Sequence, residues 1–219
     1  MSEETPTPPP RKRWHWLKRD GIDLGDAVVQ FIAMVAGILL ALFINNLVTR
    51  RQQQHAVDEA MHAIRAELVA NRAALHKSVA YLYQRTRQML DSPKNQHQSP
   101  RPCYLWDQWG GTGAINLTDA AYQTAISTQA LAHMPFRQAQ QVAMAYGVQK
   151  IADKSFYLIR ANILVAGPHP LSLCASAVES FAANERHLAT AYTPVIGPDQ
   201  TPWPTKPPNP LQSKADAGR

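Results

Sequence analysis

The chain of 219 residues carries a formal net charge of +6 and has a pI near 9.5. Part of that excess sits before residue 20, and residues 49–192 hold 14 basic against 9 acidic side chains with no block of like charge, which excludes an acidic-substrate or DNA-binding face there. Once a tail and an anchor are set aside, about 145 residues remain, the length of one ordinary domain.

Residues 1–20 contain TPTPPP and the whole of RKRWHWLKR, and predict a disordered, basic tail. An aromatic-interleaved basic run has the composition of a nucleic-acid patch. Here it stands directly before a hydrophobic run, where Arg11, Lys12, Arg13, Lys18 and Arg19 are topogenic charges and Trp14 and Trp16 belong at the headgroup level. Membrane lipid, and no nucleic acid, is the expected partner of this tail.

From Ala27 to Ile44 the chain reads AVVQFIAMVAGILLALFI, with Gln30 the only clearly polar residue, and Leu47 and Val48 extend the run. At about 1.5 Å per residue, Ala27 to Val48 measures about 33 Å, enough to cross a hydrocarbon core of about 30 Å. A soluble helix would carry a polar stripe. A signal peptide would have an h-region of about 7–15 residues closed by small side chains, whereas Phe43, Ile44 and Asn45 stand where those belong. The expectation is a transmembrane helix over 21–48, retained as an uncleaved anchor. Five Lys and Arg precede it and only Arg50 and Arg51 follow closely, which puts the N-terminus in the cytoplasm and residues 49–192 in the periplasm of a Gram-negative cell, beyond the inner membrane. Ala33, Gly37 and Ala41 recur every four residues and place small side chains on one face, where a second helix can approach closely; Asn45 and Asn46 add amides at the outer end. Those residues predict self-association or packing on another membrane protein. The blander alternative is that small residues are common in spans and the asparagines lie among headgroups.

Between Gly37 and Pro93 no Gly or Pro interrupts the chain, and apolar residues at Val57, Met61, Ile64, Leu68, Leu75, Val79, Leu82 and Met89 keep to one helical face. The span therefore runs on into a stalk helix. Within it His55, Asp58, Glu59 and His62 include one Glu-x-x-His; a di-iron bundle needs two such motifs and two further carboxylates, so the group reads as surface i, i+4 pairs, with no metal and no cofactor. SPKNQHQSPRP, residues 92–102, is a loop, and Tyr104, Trp106 and Trp109 beyond it either line an interaction surface or close the end of a core. WGGTG lacks the Gly-Lys-Ser/Thr of a phosphate loop and reads as a turn.

Thr118 is placed to cap a helix reaching about Leu131, and Pro135 to open another that carries Phe136, Val142, Tyr146, Phe156, Leu158 and Ile159 towards Val165. GPHP breaks the chain, and a last helix over Leu171–Tyr192 presents Leu173, Ala177, Val178, Phe181 and Leu188. The Pro-rich 193–219 predicts a second disordered tail. Cys103 and Cys174 are the only cysteines. Their even number and a periplasmic address permit a disulfide between the Trp loop and the last helix; two buried thiols are the equal alternative.

The expected fold is all-α: one N-terminal transmembrane helix continuing into an antiparallel helical bundle, since each apolar stripe must bury itself against a neighbour. GILLALFINN, the pair Glu67 and Asn71 on the following Gln-rich helix, and a loop with Trp106, Trp109 and Gly113 together resemble an uncharacterised bacterial family of single-span membrane proteins known only as a domain of unknown function, from which Leu47 departs where a Trp is expected. The resemblance implies one span and a helical extracytoplasmic domain, and no activity. No Gly-x-Ser-x-Gly, His-Glu-x-x-His or Cys-x-x-Cys occurs. With no catalytic residues to name, the expected role is binding, as an accessory subunit or scaffold, with a small-molecule-binding sensor as the alternative and a periplasmic enzyme third.

Overall fold

The computed structural model describes residues 24–111, 115–163 and 167–206. The charges at Arg11, Lys12, Arg13, Lys18 and Arg19, together with Gly113 and Val165, lie outside them. Among the described residues every regular element is helical, and the only β feature is an isolated antiparallel bridge between Arg101 and His169. Helix α1 spans Leu24–Asp91, α2 Ala120–Ser127, α3 Ala130–His133, α4 Phe136–Ile163, α5 Leu171–Ala191 and α6 Thr193–Ile196, with short 3-10 turns at Pro93–Asn95 and Cys103–Leu105.

The chain divides into two compact units, Met1–Arg51 and Gln52–Arg219. In the first, the described part of α1 exposes every large apolar side chain from Val28 to Val48. This is the stretch of α1 long and apolar enough to cross a membrane. A helix satisfies its own backbone groups, which is what a lipid environment requires of a single segment.

In the second unit all eight apolar stripe positions of α1, Val57 to Met89, are buried. They divide between two clusters. Val57, Met61, Ile64, Leu68 and Leu75 meet Val142, Ala145 and Tyr146 of α4 and Leu188 of α5, with Tyr192 and Val195 beyond it. Val79, Leu82, Tyr83 and Met89 meet Cys103, Trp106 and the α5 residues Cys174, Val178 and Phe181. The stripe takes a seven-residue step at two places, and the positions it skips, Asn71 and Thr86, are buried polar residues.

The remaining elements depart from expectation in four places. The helix expected from Thr118 to Leu131 is broken in two: Thr124 O accepts bonds from Ser127 Oγ at 2.9 Å and Thr128 Oγ1 at 2.8 Å, and Gln129 turns left-handed with φ of 59°. Hydroxyls that bond the preceding turn compete with helix continuation. Thr118 is not its cap, because its backbone is taken up by Asn71; Asp119 holds that position without a side-chain cap bond. On α4, Phe136 and Leu158 face outward, since the 3.6-residue period that buries Val142, Ala145 and Gln149 carries 158 to the opposite side. Leu173 on α5 is exposed for the same reason.

The fourth correction concerns the C-terminal boundary. A disordered tail is expected from residue 193, yet 193–206 forms α6 and a strap over α1 and α5. Trp203 stacks on His76 with ring centroids 3.7 Å apart and lies under the Arg186 guanidinium at 5.7 Å. Asp199 Oδ2 is 2.6 Å from His76 Nε2, Arg72 donates to Gly197 O at 3.0 Å, and Lys206 pairs with Glu179 at 2.8 Å. Burial alone would raise the Asp199 carboxyl, but the bonds from His76 and the Thr201 N–H outweigh it and hold its pKa low. Prolines prevent a long helix here but not packing; one tryptophan and three charged or polar anchors are enough to seat an extended segment. Residues 207–219 lie outside the described residues.

Candidate functional site

Helix α4 has two faces of different chemistry. Its inner face brings Tyr146 and Gln149 against Glu67 and Asn71 of α1. The Asn71 amide donates to Thr118 O at 2.8 Å and to Gln149 Oε1 at 3.3 Å, and its carbonyl oxygen accepts the Thr118 N–H at 3.1 Å. Gln149 Nε2 donates to Thr118 O at 3.2 Å, and the Tyr192 hydroxyl donates to Gln149 Oε1 at 2.7 Å. One turn away, Glu67 accepts the Ala121 N–H at 3.0 Å and the Tyr146 hydroxyl at 2.5 Å. Burial and then the hydrogen bond to Glu67 push the Tyr146 phenol well above its usual range, and burial pushes Tyr192 the same way, so both remain proton donors.

The network is complete in itself. Asn71 is 3% exposed and satisfies both backbone groups of Thr118, which registers the segment before α2 on α1. An Asn71→Ala chain should lose roughly 2 kcal/mol, because the Thr118 groups and Gln149 would be left short of partners. Urea titration of Trp fluorescence reads the loss; a midpoint equal to that of the parent would mean that Asn71 does not anchor this segment.

Beside the network a cleft of about 340 Å³ is lined by Asp119, Tyr122, Tyr146, Lys150 and Asp153. Tyr122 stacks on Tyr146 with centroids 4.6 Å apart. Burial, then the neighbouring Asp119 charge, raises the Asp153 carboxyl above its ordinary range. The outer face of α4 exposes Met144 (62%), Ile151 (67%) and Leu158 (58%) every seven residues, with Phe136 (83%) at the start of the helix and the exposed Gln140, Lys150 and Lys154 among them. A Cβ placed on Gly147, on the same face, would meet no heavy atom within 4 Å.

The residues singled out from the sequence fall in several places. Ala33, Gly37, Ala41, Asn45 and Asn46 are exposed on α1, with Gly37 free of neighbours and Asn45 O accepting the Thr49 hydroxyl at 2.9 Å. His55, Asp58, Glu59 and His62 are all exposed, and the single pair among them is His55 Nδ1 to Glu59 Oε1 at 3.6 Å. No group of three or more His, Cys, Asp or Glu is placed to hold a metal among the described residues.

Of the aromatic trio, Tyr104 is exposed and Trp109 is partly buried, but Trp106 is only 3% exposed and is not available as surface. Its ring fills the second core cluster, and the Arg101 guanidinium lies 5.3 Å from it. The 3-10 turn Cys103–Leu105 and the Arg101–His169 bridge bring Cys103 to the first turn of α5, where it is joined to Cys174 with Cα atoms 5.6 Å apart.

Tyr146, Gln149 and Tyr192 have no sequence signature as a site. The one available signal is the skipped stripe position at Asn71: a polar residue in register with a buried face must find partners on whatever packs there. Comparison of the chain with protein-family models, with curated proteins and with solved structures yields no match.

Proposed function

We propose that this chain is a single-pass inner-membrane protein whose N-terminus is cytoplasmic and whose helical domain, an antiparallel bundle, lies in the periplasm and acts by binding, as an accessory subunit or scaffold of a membrane-associated assembly. The observation that carries the reading is the outward row Met144, Ile151 and Leu158 on a helix whose other face is packed. The bridged cysteines suit an oxidising compartment, and the resemblance of the GILLALFINN segment to single-span proteins suits the anchor. The small face at Ala33, Gly37 and Ala41 offers a second contact, to another copy or to another span. The cleft beside Tyr146 favours the alternative, a small-molecule sensor that signals through a partner.

The test is mild-detergent purification of tagged full-length chain from its native membrane, with Met144→Ser/Ile151→Ser alongside. A partner recovered with the parent and reduced at least tenfold with the variant is the expected result. Equal recovery would remove the α4 row from the reading. Labelling of an engineered surface cysteine at Gln98 in intact spheroplasts by an impermeant reagent is expected as well, and its failure would overturn the orientation.

A further inference from the structure

Five of the seven arginines whose side chains are described in the second unit are engaged. Arg72 donates to Gly197 O, Arg85 to Gln88 Oε1, Arg87 pairs with Asp91, and the guanidiniums of Arg101 and Arg186 lie over Trp106 and Trp203. Arg65 and Arg137 have no hydrogen bond, ion pair or ring contact among the described residues. Both line one cavity of about 360 Å³, formed where α1 meets the start of α4 and α6. Its walls include the buried side chains Met61, Val142 and Val195, and Gln141 adds an amide.

A guanidinium presents a planar fork of donors matched to a carboxylate or phosphate, and Arg65 and Arg137 are both exposed at this cavity, where an anion can reach them. Two of them over a hydrocarbon floor match a ligand with one anionic end and one apolar end. The volume lies within the range of about 300–1,000 Å³ usual for small-molecule sites. We propose that this cavity binds an amphiphilic anion, its carboxylate or phosphate held between Arg65 and Arg137 and its hydrocarbon part laid on Met61 and Val195. Membrane lipid and a soluble amphiphile share that chemistry. The site uses none of the outward row on α4 and stands independently of the reading above.

The experiment uses the full chain in nanodiscs of zwitterionic lipid, titrated with octanoate by calorimetry, with empty nanodiscs subtracted. Saturable octanoate binding is expected, at least tenfold weaker in Arg65→Gln/Arg137→Gln and unchanged in Lys150→Gln/Lys154→Gln and in Met144→Ser/Ile151→Ser. Octanol and octylamine are expected not to bind. If nanodiscs containing phosphatidylglycerol weaken octanoate binding to the parent, the occupant is a lipid headgroup and its chain; if they do not, it is a soluble amphiphile. Absence of saturable binding, or equal affinity in the arginine variant with its thermal melt intact, overturns the site. Inorganic phosphate binding as tightly as octanoate overturns its amphiphilic character.

Discussion

Replacing both Cys103 and Cys174 by alanine is expected to cost the helical domain about 4 kcal/mol, the chain-entropy value for releasing a loop of this size. The two positions are separated by 71 residues, so the bridge closes the loop that runs from the Trp loop through α2, α3 and α4 to the first turn of α5. Both cysteines are fully buried beside Leu82, Trp106 and Val178, so alanine rather than serine is the fitting replacement: it adds no buried hydroxyl. With a urea dependence of about 2 kcal/mol per M, the midpoint followed by Trp fluorescence should fall by about 2 M, and reduced parent protein should fall with it. Alkylation of unreduced protein should label neither cysteine. A loss below about 1 kcal/mol would mean that the loop is already constrained without the bridge, contrary to the entropic account.

Replacing Glu185 by glutamine is expected to stabilise the protein above neutral pH by up to about 3 kcal/mol and to flatten its pH dependence. Glu185 is buried on α5; Ser78 Oγ donates to Oε1 at 3.0 Å, while Oε2 has no hydrogen-bond partner. Burial raises its pKa from 4.5 to about 7, and the Ser78 bond offsets only part of that. The native state therefore holds a proton that the unfolded chain has released, and stability falls as pH rises. The contribution of the protonated acid is full below about pH 4.5 and is lost as pH rises through about 7. Urea midpoints taken from pH 4 to pH 8 should decline for the parent across that window and decline less for Glu185→Gln. Parallel curves would show that the carboxylate ionises without penalty.

How much of this protein was legible in advance can be followed along α1. Its apolar run and its stripe from Val57 to Met89 were readable residue by residue, because a helix repeats every 3.6 residues whatever it packs on, and all eight stripe positions are buried. Cys103 and Cys174 were identifiable as the one pair of cysteines, but their approach to 5.6 Å depends on the Arg101–His169 bridge and the turn at Cys103–Leu105, neither of which has a periodicity to read. The same limit hid the strap. Composition marks 193–206 as incapable of a long helix, which is correct, but whether an extended segment packs is decided by Trp203 finding His76 and Asp199 finding the same imidazole, partners more than 120 residues away.

Glu67 and Asn71 show the division at single residues: the sequence places both on one face of α1, and only the packing of α4 turns them into the hub that holds Thr118, Ala121, Tyr146 and Gln149. Local periodicity and hydropathy, which act through neighbours in the chain, determined the all-α class and the helix suited to a membrane. Tertiary structure decided which aromatics are core, where the cavities lie and which arginines remain unpartnered, because those depend on side chains brought together across loops whose course no local propensity dictates.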